Sequence, residues 1–528
     1  MSNHAYESAA ALRPSSNGPI PISTLCERFS LAPASAEDAA ALNDLSILGV
    51  SVDSADTAPG ELFVGLPGFT VHGARFAADA VASGAVAVLT DADGAQIVHQ
   101  TAPGTPVLVH SDPRAVVGPL SAEVYHHPAR GLVTTAVTGT NGKTTTAYFL
   151  DAILSAHVGG CMVAGTVELR VGERSVESPR TTVEAPVLQR MMALAVEDKV
   201  GAASLEASSH AIVLHRLDGL VVDVAGFTNL QRDHLDFHKT MEGYLEAKAQ
   251  LFTPEHARRG VVCVDDQWGA TLAAEAPIEI DRVRAYPGDT PADWWVSDAA
   301  VSLTDSATTF TLHGPDGEQI EASCPLPGLV NVQNAALALV MAIRAGVPAA
   351  TAAAALAGAH NIPGRMQRIS QRDGRRGLCI VDFAHTPEAM ELALKAVRPI
   401  TPGRLIVVFG SDGDRDQGKR PMLGEVCARL ADVLVVTDEN PRSEDPQLIR
   451  DAVLAGVRSV RPDLADVEEI TTWRGDAVRR GVELCGPDDT VIVTGKGHEP
   501  FLEMAGEFIR YNDAPVMAEA VEEKWGRA

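Results

Sequence analysis

An apolar run that passes into a glycine-rich turn and then a helix constrains the fold of this chain more than any other feature. Residues 132–140 read LVTTAVTGT, which predicts a buried strand and a turn, and residues 144–154 read TTTAYFLDAIL, which predicts a helix. The turn contains Gly139 and Gly142. Backbone N–H groups of such a turn, at the N-terminus of a helix, bind phosphate. The pattern therefore predicts a nucleotide-binding α/β sheet.

Lys143 and Thr144 follow the second glycine and extend this phosphate-binding pattern. In such loops the lysine reaches the terminal phosphates and the hydroxyl lies on Mg²⁺. The spacing is G-x-x-G-K-T, and Val137 stands where the general pattern has its first glycine. A Gly-Lys-Thr sequence alone is usually a surface turn, so the flanking strand and helix are what favour nucleotide binding.

The length of 528 residues predicts three domains, at about 100–200 residues each. We expect an α/β protein with a flexible tail at residues 1–20, a small α/β domain at 21–131, a central domain with a mainly parallel sheet at 132–368, and a Rossmann-like doubly wound domain at 369–528. A strand-then-helix alternation restarts at Leu378. Residues 296–326 alternate polar and apolar residues around HGPDGE, which predicts an antiparallel hairpin in the central domain.

The charge balance and the cysteines argue against several classes of partner and compartment. Lys+Arg 43 against Asp+Glu 69 gives a formal net charge of -26, which repels nucleic acids and anionic membranes. The seven cysteines stand singly, as is typical of a reducing compartment. No secretory signal or membrane-spanning run is evident. We therefore expect a cytoplasmic protein, a monomer, with no nucleic-acid partner and no stable membrane insertion.

Two side chains that follow apolar runs are candidates for holding the cation of a nucleotide. Glu206 ends the run AASLE, and His234 follows the run VVDVAGFTNL. Side chains at the carboxyl ends of parallel strands converge on the ligand crevice. Taken alone, Glu206 is more often a solvated carboxylate and His234 a hydrogen-bonded loop residue.

The chain resembles the Mur ligase family, whose members join amino acids onto the peptidoglycan precursor. The resemblance runs from about residue 50 to 515, in the ordered blocks TGTNGKTTT, EASSH, FTNLQRDHLDFH, EAKAQLF, LPGLVNVQNA, PGRMQ, VDFAHTPEA, GDRDQGKRP, ENPRSEDP and GKGHE. The pattern is most similar to the members that add the third, diamino, residue. It implies an N-terminal UDP-substrate domain, a central ATP-binding domain and a C-terminal amino-acid-binding domain.

The resemblance also implies metal ligands and catalytic residues. It implies that Thr144, Glu206 and His234 contact Mg²⁺, and that Lys248 is carbamylated and binds a second Mg²⁺. On sequence chemistry alone, Lys248 would be a solvated helical lysine. The implied catalytic residues are Lys143, His234, Lys248 and Arg365.

The implied ATP site combines the phosphate loop with residues from later in the chain. Asn334 would lie near the adenine, and Arg365, after a Pro-Gly turn, would move onto the γ-phosphate. A helix cap and an exposed turn residue are the alternatives for these two. The implied ATP-binding residues are Gly139, Thr140, Asn141, Gly142, Lys143, Thr144, Thr145, Asn334, Arg365, Asp382 and His385.

Hydroxyls and an arginine suit a substrate that carries a carboxylate and a sugar phosphate. The residues implied to bind the UDP-muramoyl dipeptide are Ser54, Thr181, Thr182, Ser208 and Arg216. Some positions here depart from the family pattern: Ala55 stands where an arginine is usual, Phe69 and Thr70 replace a more polar pair, and Leu214 stands where the family often has a glutamine.

The C-terminal motifs imply a pocket for the incoming amino acid. Its implied residues are Arg415, Glu439, Asn440, Arg442, Gly495 and Glu499. Arg442 decides specificity, because its guanidinium offers a bidentate partner to the second carboxylate of meso-diaminopimelate, which L-lysine lacks. The alternative is a turn residue that pairs with Glu444 or Asp445.

The resulting hypothesis is an ATP- and Mg²⁺-dependent ligase that adds meso-diaminopimelate to the D-glutamate of UDP-MurNAc-L-Ala-D-Glu through an acyl phosphate. An enzyme that adds L-lysine or another diamino acid, and the related folylpolyglutamate synthetases, are alternatives within the enzyme class. A non-catalytic nucleotide-binding regulatory protein of the same fold is the alternative outside it.

Overall fold

A computed structural model describes residues 9–302, 307–359 and 362–526 of the chain. It is an α/β structure with two compact units, one formed by residues 1–294 with 337–355 and the other by residues 295–336 with 356–528. Each unit contains a sheet whose strands are mostly parallel, as the sequence predicts. The domain boundaries expected at residues 131 and 368 stay predictions.

The N-terminal part of the first unit is a small α/β fold. Its strands are β1 Ile20–Pro21, β2 Ala32–Pro33, β3 Ser46–Ile47, β4 Gly49–Ser51, β5 Glu61–Val64, β6 Ala87–Thr90 and β7 Val107–Val109, and its helices are α1 Ile22–Phe29, α2 Ala36–Leu42, α3 Ala77–Ala82, α4 Ala92–Thr101 and α5 Pro113–Val124. Strands β4 to β7 are parallel, in the order β2-β7-β6-β5-β4, and β1 pairs with β3. Aspartates at the N-caps of α4 and α5 accept backbone N–H bonds, which fixes where these helices begin.

Residues 9–20 correct the expectation of a flexible tail. The Leu12 side chain is fully buried in an apolar core that also holds residues of the central strands. Arg13 forms ion pairs with Asp56, at 3.2 Å, and with Glu61. The buried Leu12 and the ion-paired Arg13 attach this short polar segment to the first unit. Residues 1–8 lie outside the described part of the chain.

The rest of the first unit contains the strand that leads into the glycine-rich turn. Its strands are β8 Val133–Thr138, β9 Cys161–Ala164, β10 Glu168–Val171, β11 Arg174–Glu177, β12 Ala202–Glu206, β13 Val222–Phe227, β14 Ala257–Cys263 and β15 Glu279–Arg284. Its helices are α6 Lys143–Val158, α7 Ala185–Glu197, α8 Ser209–Val213, α9 Leu235–His238, α10 Met241–Ala249 and α11 Gln267–Glu275. The strand order is β11-β10-β9-β12-β8-β13-β14-β15, parallel from β9 to β15.

This order places β8 between β12 and β13, so the carboxyl ends of these three strands lie side by side. All three are apolar runs buried on both faces, as parallel strands covered by helices are. β8 confirms the strand predicted from the apolar run that begins at residue 132, and the apolar runs that precede or include Glu206 and precede His234 form β12 and β13. The strand ends therefore meet where the sequence predicts the phosphate loop.

The second unit begins with an antiparallel set of strands, β16 Trp294–Val301, β17 Thr308–His313 and β18 Gln319–Cys324, and the β17–β18 hairpin is the one predicted around HGPDGE. Helices α12 Leu329–Arg344 and α13 Ala349–Ala357 follow in the chain, and residues 337–355 of this stretch belong to the first unit. The later strands are β19 Gln367–Ser370, β20 Leu378–Val381, β21 Leu405–Phe409, β22 Val433–Val436, β23 Val467–Glu469, β24 Thr490–Val493, β25 Phe501–Met504 and β26 Glu507–Arg510. The later helices are α14 Pro387–Val397, α15 Lys419–Leu430, α16 Pro446–Val460, α17 Arg474–Leu484 and α18 Asp513–Trp525.

The predicted strand-then-helix alternation after Leu378 forms a doubly wound sheet. Its order is β19-β20-β24-β21-β22-β23, and only the edge strand β19 is antiparallel. Valine and isoleucine fill its buried strands, which favours the strand over the helix at these positions. Among the described residues, no helix is both long and apolar enough to cross a lipid bilayer.

Candidate active site

The phosphate loop lies between β8 and α6, and its shape depends on its two glycines. Gly139 and Gly142 have φ angles of 143° and 90°, which side chains other than glycine rarely adopt. A Cβ on Gly139 would also collide with the Thr228 side chain. Asn229 holds the loop from the end of β13: its carbonyl oxygen accepts the Thr140 N–H at 2.9 Å, and its side-chain oxygen accepts the Asn141 N–H at 3.1 Å. Strand ends and loop therefore form one anion-binding turn at a helix N-terminus.

Lys143 and Lys248 both donate to the backbone of this loop. Lys143 Nζ lies 3.0 Å from the Gly139 carbonyl oxygen and 2.9 Å from that of Thr140. Lys248 Nζ lies 2.9 Å from the same Gly139 oxygen and 4.4 Å from the centre of the Tyr244 ring. The Lys248 side chain is buried, so the alternative of a solvated lysine is wrong. Burial, and then the Lys143 charge, lower the pKa of Lys248 well below its usual value, which favours the neutral, nucleophilic amine.

Glu206 ends β12 as a buried carboxylate with several donors, which corrects the alternative of a solvated side chain. It accepts bonds from Thr144 Oγ1 at 3.0 Å, Thr166 N at 2.8 Å and Thr166 Oγ1 at 2.9 Å. Hydroxyl and carboxylate oxygens that lie this close form a donor set that suits Mg²⁺. Sequence reasoning missed Thr166, which lies between β9 and β10, because no motif marks this turn.

His234 lies in a cluster of aromatic rings close to the two lysines. It begins α9 with a φ of 53°, and its ring meets the His210 ring edge-on at 4.9 Å between centroids. Burial lowers the pKa of His234, and the Lys143 and Lys248 charges lower it further, while Asp233 raises it. A neutral imidazole at neutral pH is the form that binds a metal ion.

Four of the five residues expected to bind the dipeptide, all except Ser54, are joined to Glu206 by a chain of hydrogen bonds. Thr182 Oγ1 donates to the Glu206 carbonyl oxygen at 2.7 Å and accepts the Ser208 N–H at 3.0 Å. Arg216 Nη1 donates to the Thr182 carbonyl oxygen at 3.1 Å. Thr181 Oγ1 lies 3.1 Å from Thr166 Oγ1. In the first unit, hydrogen bonds thus connect these hydroxyl groups and the Arg216 guanidinium to Glu206, at the end of β12.

A cavity of about 540 Å³ in the first unit is lined by Ser54. Ser54 belongs to a short 3₁₀ turn whose Asp56 pairs with the buried Arg190, at 3.0 Å. Val50, Phe63, Leu66 and Val183 give the cavity apolar walls, and Asp53, Asp56, Arg114, Arg180 and Glu184 are among its polar residues. A cavity with apolar walls and a few converging polar groups is typical of a small-molecule site.

In the second unit, Arg365, Asp382 and His385 lie around Phe383. The Asp382 carboxylate accepts the N–H groups of Met366 at 2.8 Å and Ala384 at 2.9 Å, which ties the segment after Arg365 to the end of β20. The Arg365 guanidinium lies 4.3 Å from the centre of the Phe383 ring. The His385 Nδ1 lies 3.0 Å from the Phe383 carbonyl oxygen. Burial raises the pKa of Asp382.

Asn334 is buried in α12, and its side-chain oxygen has no hydrogen-bond partner in the described part of the chain. An unpaired buried amide oxygen costs free energy unless a ligand donates to it. Its role beside the adenine stays a prediction.

Residues predicted to bind the incoming amino acid lie at the carboxyl ends of β22 and β24. Asn440 Nδ2 donates to Glu499 Oε2 at 3.0 Å, and Lys496 Nζ donates to Asn440 Oδ1 at 2.9 Å. Glu439 is buried beside Gly495, whose φ of 108° and missing Cβ make room for that carboxylate. Burial, and then the Asp412 charge, raise the pKa of Glu439 to about 8. Sequence reasoning missed Lys496.

Arg442 and Arg415 differ in their surroundings. Arg442 has a φ of 55°, and its guanidinium lies 3.6 Å from the Asp412 carboxylate and 3.4 Å from that of Glu503. The alternative pairing with Glu444 or Asp445 is wrong, because Arg442 pairs with Asp412 and Glu503 instead. Glu444 pairs with Arg420, and Asp445 caps α16. Arg415 is exposed on the loop after β21.

Several buried polar atoms at this end of the sheet have no hydrogen-bond partner within the described chain. They are Ser411 Oγ, Asp412 Oδ1, Thr437 Oγ1 and Arg442 Nε. Native proteins leave few such atoms unpaired, and unpaired groups that cluster at strand ends indicate a ligand site. The sequence offered one signal that would have found both hydroxyls, since Thr437 follows directly on an apolar strand and Ser411 follows another after Gly410.

Comparison with known proteins assigns the family. The sequence matches the families described as Mur ligase family, catalytic domain, over residues 46–125; Mur ligase middle domain, over residues 137–342; and Mur ligase, glutamate ligase domain, over residues 364–497. The chain belongs to the Mur ligase family, and is therefore an ATP-dependent ligase by class.

Curated relatives cover almost the whole chain. It is 43% identical to the UDP-N-acetylmuramoyl-L-alanyl-D-glutamate--2,6-diaminopimelate ligase of Streptomyces avermitilis over 483 residues, 92% of this chain and 94% of that protein. It is 41% identical to the UDP-N-acetylmuramyl-tripeptide synthetase of Leifsonia xyli over 508 residues, 95% of this chain and 96% of that protein.

A solved structure of a UDP-N-acetylmuramoyl-L-alanyl-D-glutamate--2,6-diaminopimelate ligase is 31% identical, with a TM-score of 0.64, and the match covers 92% of this chain and 96% of that one. A MurF structure from Acinetobacter baumannii shares the fold, with a TM-score of 0.65 at 18% identity, over 96% of this chain and 99% of that one.

Proposed function

We propose that this chain is the ligase that adds meso-diaminopimelate to the D-glutamyl γ-carboxylate of UDP-MurNAc-L-Ala-D-Glu, with ATP as the energy source. The names of the relatives at 43% identity support this substrate pair. The observation that carries the proposal is the hydrogen-bond chain from the phosphate loop through Glu206 to Thr182 and Arg216. It joins groups that suit phosphates to groups that suit a carboxylate.

The reaction requires that a carboxylate become an electrophile. A γ-carboxylate oxygen attacks the γ-phosphorus of ATP, the bond from that phosphorus to the β,γ-bridging oxygen breaks, and ADP leaves. The amino group then attacks the carbonyl carbon of the acyl phosphate, inorganic phosphate leaves, and the nitrogen loses a proton. Lys143 would leave its carbonyl partners for the phosphates, and the loop N–H groups would bind the negative oxygens.

We assign Mg²⁺ to Thr144 and Glu206, with His234 as a further ligand, because the first two already lie 3.0 Å apart as buried oxygen donors. Bound there, Mg²⁺ neutralises charge on the phosphates. Lys248 is the residue that we expect to be carbamylated. Its lowered pKa supports this role, because the neutral amine attacks CO₂, and loss of a proton leaves a carbamate anion.

In the amino-acid pocket, we assign Arg442 to the distal carboxylate of the diamino acid and Glu499 to its distal ammonium. Arg442 Nε makes no hydrogen bond, since its contact with Glu503 at 3.4 Å lacks hydrogen-bond geometry, and this supports the first assignment. The flanking carboxylates of Asp412 and Glu503 favour a second candidate, an L-lysine or other diamino acid ligase, because they already offset the charge of Arg442. The Leifsonia xyli relative is named as a tripeptide synthetase without a stated amino acid.

Purified protein with ATP, Mg²⁺ and UDP-MurNAc-L-Ala-D-Glu tests the proposal. meso-Diaminopimelate, L-lysine and L-ornithine are supplied in parallel, and phosphate release and product mass are measured, with Lys143→Ala as the inactive control. We expect phosphate release that needs both the dipeptide substrate and the diamino acid, with diaminopimelate used best. Release that is independent of the dipeptide would refute the ligase assignment, and equal or better use of lysine would refute the choice of amino acid.

A further inference from the structure

A cavity of about 320 Å³ in the first unit lies at the opposite end of the sheet from the phosphate loop. The parallel neighbours β8, β13 and β14 begin there, and their second residues, Thr134, Asp223 and Arg258, line it. The wall also includes Arg130, from the turn before β8, and Gln189, from α7. The described residues that line this cavity include none of those assigned above to the ligase reaction.

Gln189 contributes an unsatisfied acceptor to this cavity. Its side chain is 1% exposed, and its Oε1 has no hydrogen-bond partner in the described part of the chain. Native proteins pair nearly all buried polar atoms, because an unpaired one costs free energy. A leucine would fill a similar volume without this cost. An N–H donor on a bound ligand would supply the missing partner of this oxygen.

Asp223 is the only carboxylate among the described residues that line the cavity, and its two oxygens are used unequally. Its Oδ2 accepts from Thr134 N at 2.8 Å and from Thr134 Oγ1 at 3.0 Å. Its Oδ1 accepts from Arg258 Nη1 at 2.8 Å. A carboxylate has about four acceptor positions, so Oδ1 retains one for a further donor.

Arg130 gives the cavity a second guanidinium group. The Arg130 side chain makes no ion pair or hydrogen bond within the described part of the chain. The other ionisable residues that line this cavity or the groove beside it are paired: His127 with Glu123, Arg259 with Glu279, and Arg344 with Asp281. The cavity therefore offers two guanidinium groups, one carboxylate and one unpaired amide oxygen.

We propose that this cavity binds an acidic α-amino acid, at a site separate from the ligase reaction and independent of the substrates assigned to it. The two carboxylates of such a ligand match Arg130 and Arg258, and its ammonium matches Gln189 Oε1 and Asp223 Oδ1. The ligand has two negative charges and one positive charge, which complement those of the cavity. Ligand cavities span roughly 300–1,000 Å³, and this one, at the small end, suits a single amino acid.

Calorimetric titration of the full-length protein tests this site. L-glutamate, D-glutamate, L-glutamine and L-lysine are added separately at constant ionic strength. Saturating UDP-MurNAc-L-Ala-D-Glu and meso-diaminopimelate occupy the sites of the ligase reaction, and ATP is omitted to prevent turnover. We expect at least one glutamate enantiomer to bind one-to-one, about 10-fold or more tightly than glutamine, which lacks the second carboxylate. Lysine, with the opposite net charge, should not bind.

Arg130→Gln is the main variant, because Arg130 is exposed and its loss leaves the core intact. Arg282→Gln is the matched control, since Arg282 is exposed on β15 of the same unit and likewise makes no ion pair with a described residue. We expect Arg130→Gln to weaken glutamate binding about 10-fold to 100-fold, and Arg282→Gln to leave it unchanged.

Gln189→Leu separates a ligand-binding role from a structural one. The variant should bind glutamate about 10-fold more weakly, while the Tm of the ligand-free protein stays the same or rises, because the unpaired oxygen is gone. If Gln189→Leu does not fold, Arg130→Gln decides alone.

Wild-type protein that binds neither glutamate enantiomer overturns the proposal, and so does glutamine binding as tight as glutamate binding. Glutamate affinity that is unchanged in Arg130→Gln also overturns it, because the ligand would then lie elsewhere. An equal loss of affinity in Arg130→Gln and Arg282→Gln overturns it as well, since it would reflect the net charge of the protein and not this cavity.

Discussion

The phosphate loop of the first unit and the proposed amino-acid pocket of the second satisfy their polar groups differently. In the loop, the charged side chains are bonded to their own chain: Lys143 and Lys248 donate to the Gly139 carbonyl oxygen, and Glu206 accepts from Thr144 and Thr166. In the pocket, buried atoms of Ser411, Asp412, Thr437 and Arg442 have no hydrogen-bond partner in the described residues.

This difference indicates how each region meets its ligand. A loop that is satisfied internally exchanges carbonyl partners for phosphate oxygens, at a small net cost per bond. A pocket with unpaired buried groups is organised in advance, and the ligand itself supplies the missing partners. Substitutions in the loop should therefore act on turnover, and substitutions in the pocket should act on the choice and affinity of the amino acid.

The largest effect is expected for Lys143→Ala. The substitution removes the cation that reaches the transferred phosphate, so kcat should fall about 10³-fold. The measurement is phosphate release with saturating dipeptide substrate and diamino acid. Lys395→Ala is the control, because Lys395 is exposed on α14 and pairs with Glu391 of the same helix. A fall of less than tenfold would contradict the role given to the loop.

Lys248→Ala should lower kcat about 10²-fold, because the variant cannot form the carbamate anion. A short-chain carboxylate added to the assay should restore part of the activity by taking the place of the carbamate. Wild-type protein prepared with bicarbonate should gain the mass of one CO₂ in intact-mass spectra, and Lys248→Ala should not. Full activity in the variant, or rescue that occurs equally in Lys143→Ala, would refute carbamylation.

In the pocket, Arg442→Ala should change specificity more than turnover. Loss of the guanidinium leaves the distal carboxylate of diaminopimelate unpaired, so the preference for diaminopimelate over L-lysine in kcat/KM should fall about 10-fold to 100-fold. Arg458→Ala, an exposed arginine on α16, is the control. An unchanged preference would favour the second candidate function, a ligase for L-lysine or another diamino acid. In that case Arg442 pairs with Asp412 and Glu503 and not with the substrate.

The smallest effect is expected for Glu439→Gln on stability. The pKa of Glu439 is raised to about 8 in the folded protein, so the folded state holds a proton that the unfolded state releases above its ordinary pKa of 4.5. Stability therefore falls as pH rises from the unfolded pKa toward the folded one. Near pH 5 the variant and wild type should have similar Tm values, and above pH 8 the variant should melt about 2 °C or more higher.

Glu425→Gln, an exposed glutamate on α15, is the control for that melting series. A Glu439→Gln variant with a lower Tm than wild type at high pH would contradict the sign of the effect. It would also remove the main reason for regarding Glu439 as a neutral group in the pocket.

The sequence predicted those parts of the fold that depend on residues close together along the chain. Apolar runs followed by glycines predict β8 and its loop, and repeated strand-then-helix segments predict the doubly wound sheet. The same reasoning placed Glu206 at a strand end. Lys248 could be identified as a site residue only from the motif resemblance. Its burial results from tertiary packing of α10, and the residues of that helix alone do not indicate it.

Sequence reasoning did not predict the contacts that form where segments distant along the chain converge. Thr166 contacts Glu206 from 40 residues away, and Arg114 reaches Glu184 from 70. Neither stands in a motif, because the relevant spacing exists only in three dimensions. The prediction of a flexible tail was wrong at residues 9–20 for a related reason. Leu12 is one apolar residue in a polar stretch, yet it packs against a core formed by residues distant along the chain.

The acyl-phosphate route is tested most directly by the fate of one oxygen. UDP-MurNAc-L-Ala-D-Glu with both γ-carboxylate oxygens replaced by the heavy isotope is converted with ATP and diaminopimelate, and the inorganic phosphate released is examined by mass spectrometry. The account predicts one heavy oxygen in each phosphate, because the carboxylate oxygen leaves with the phosphoryl group. Product formation with unlabelled phosphate would contradict it.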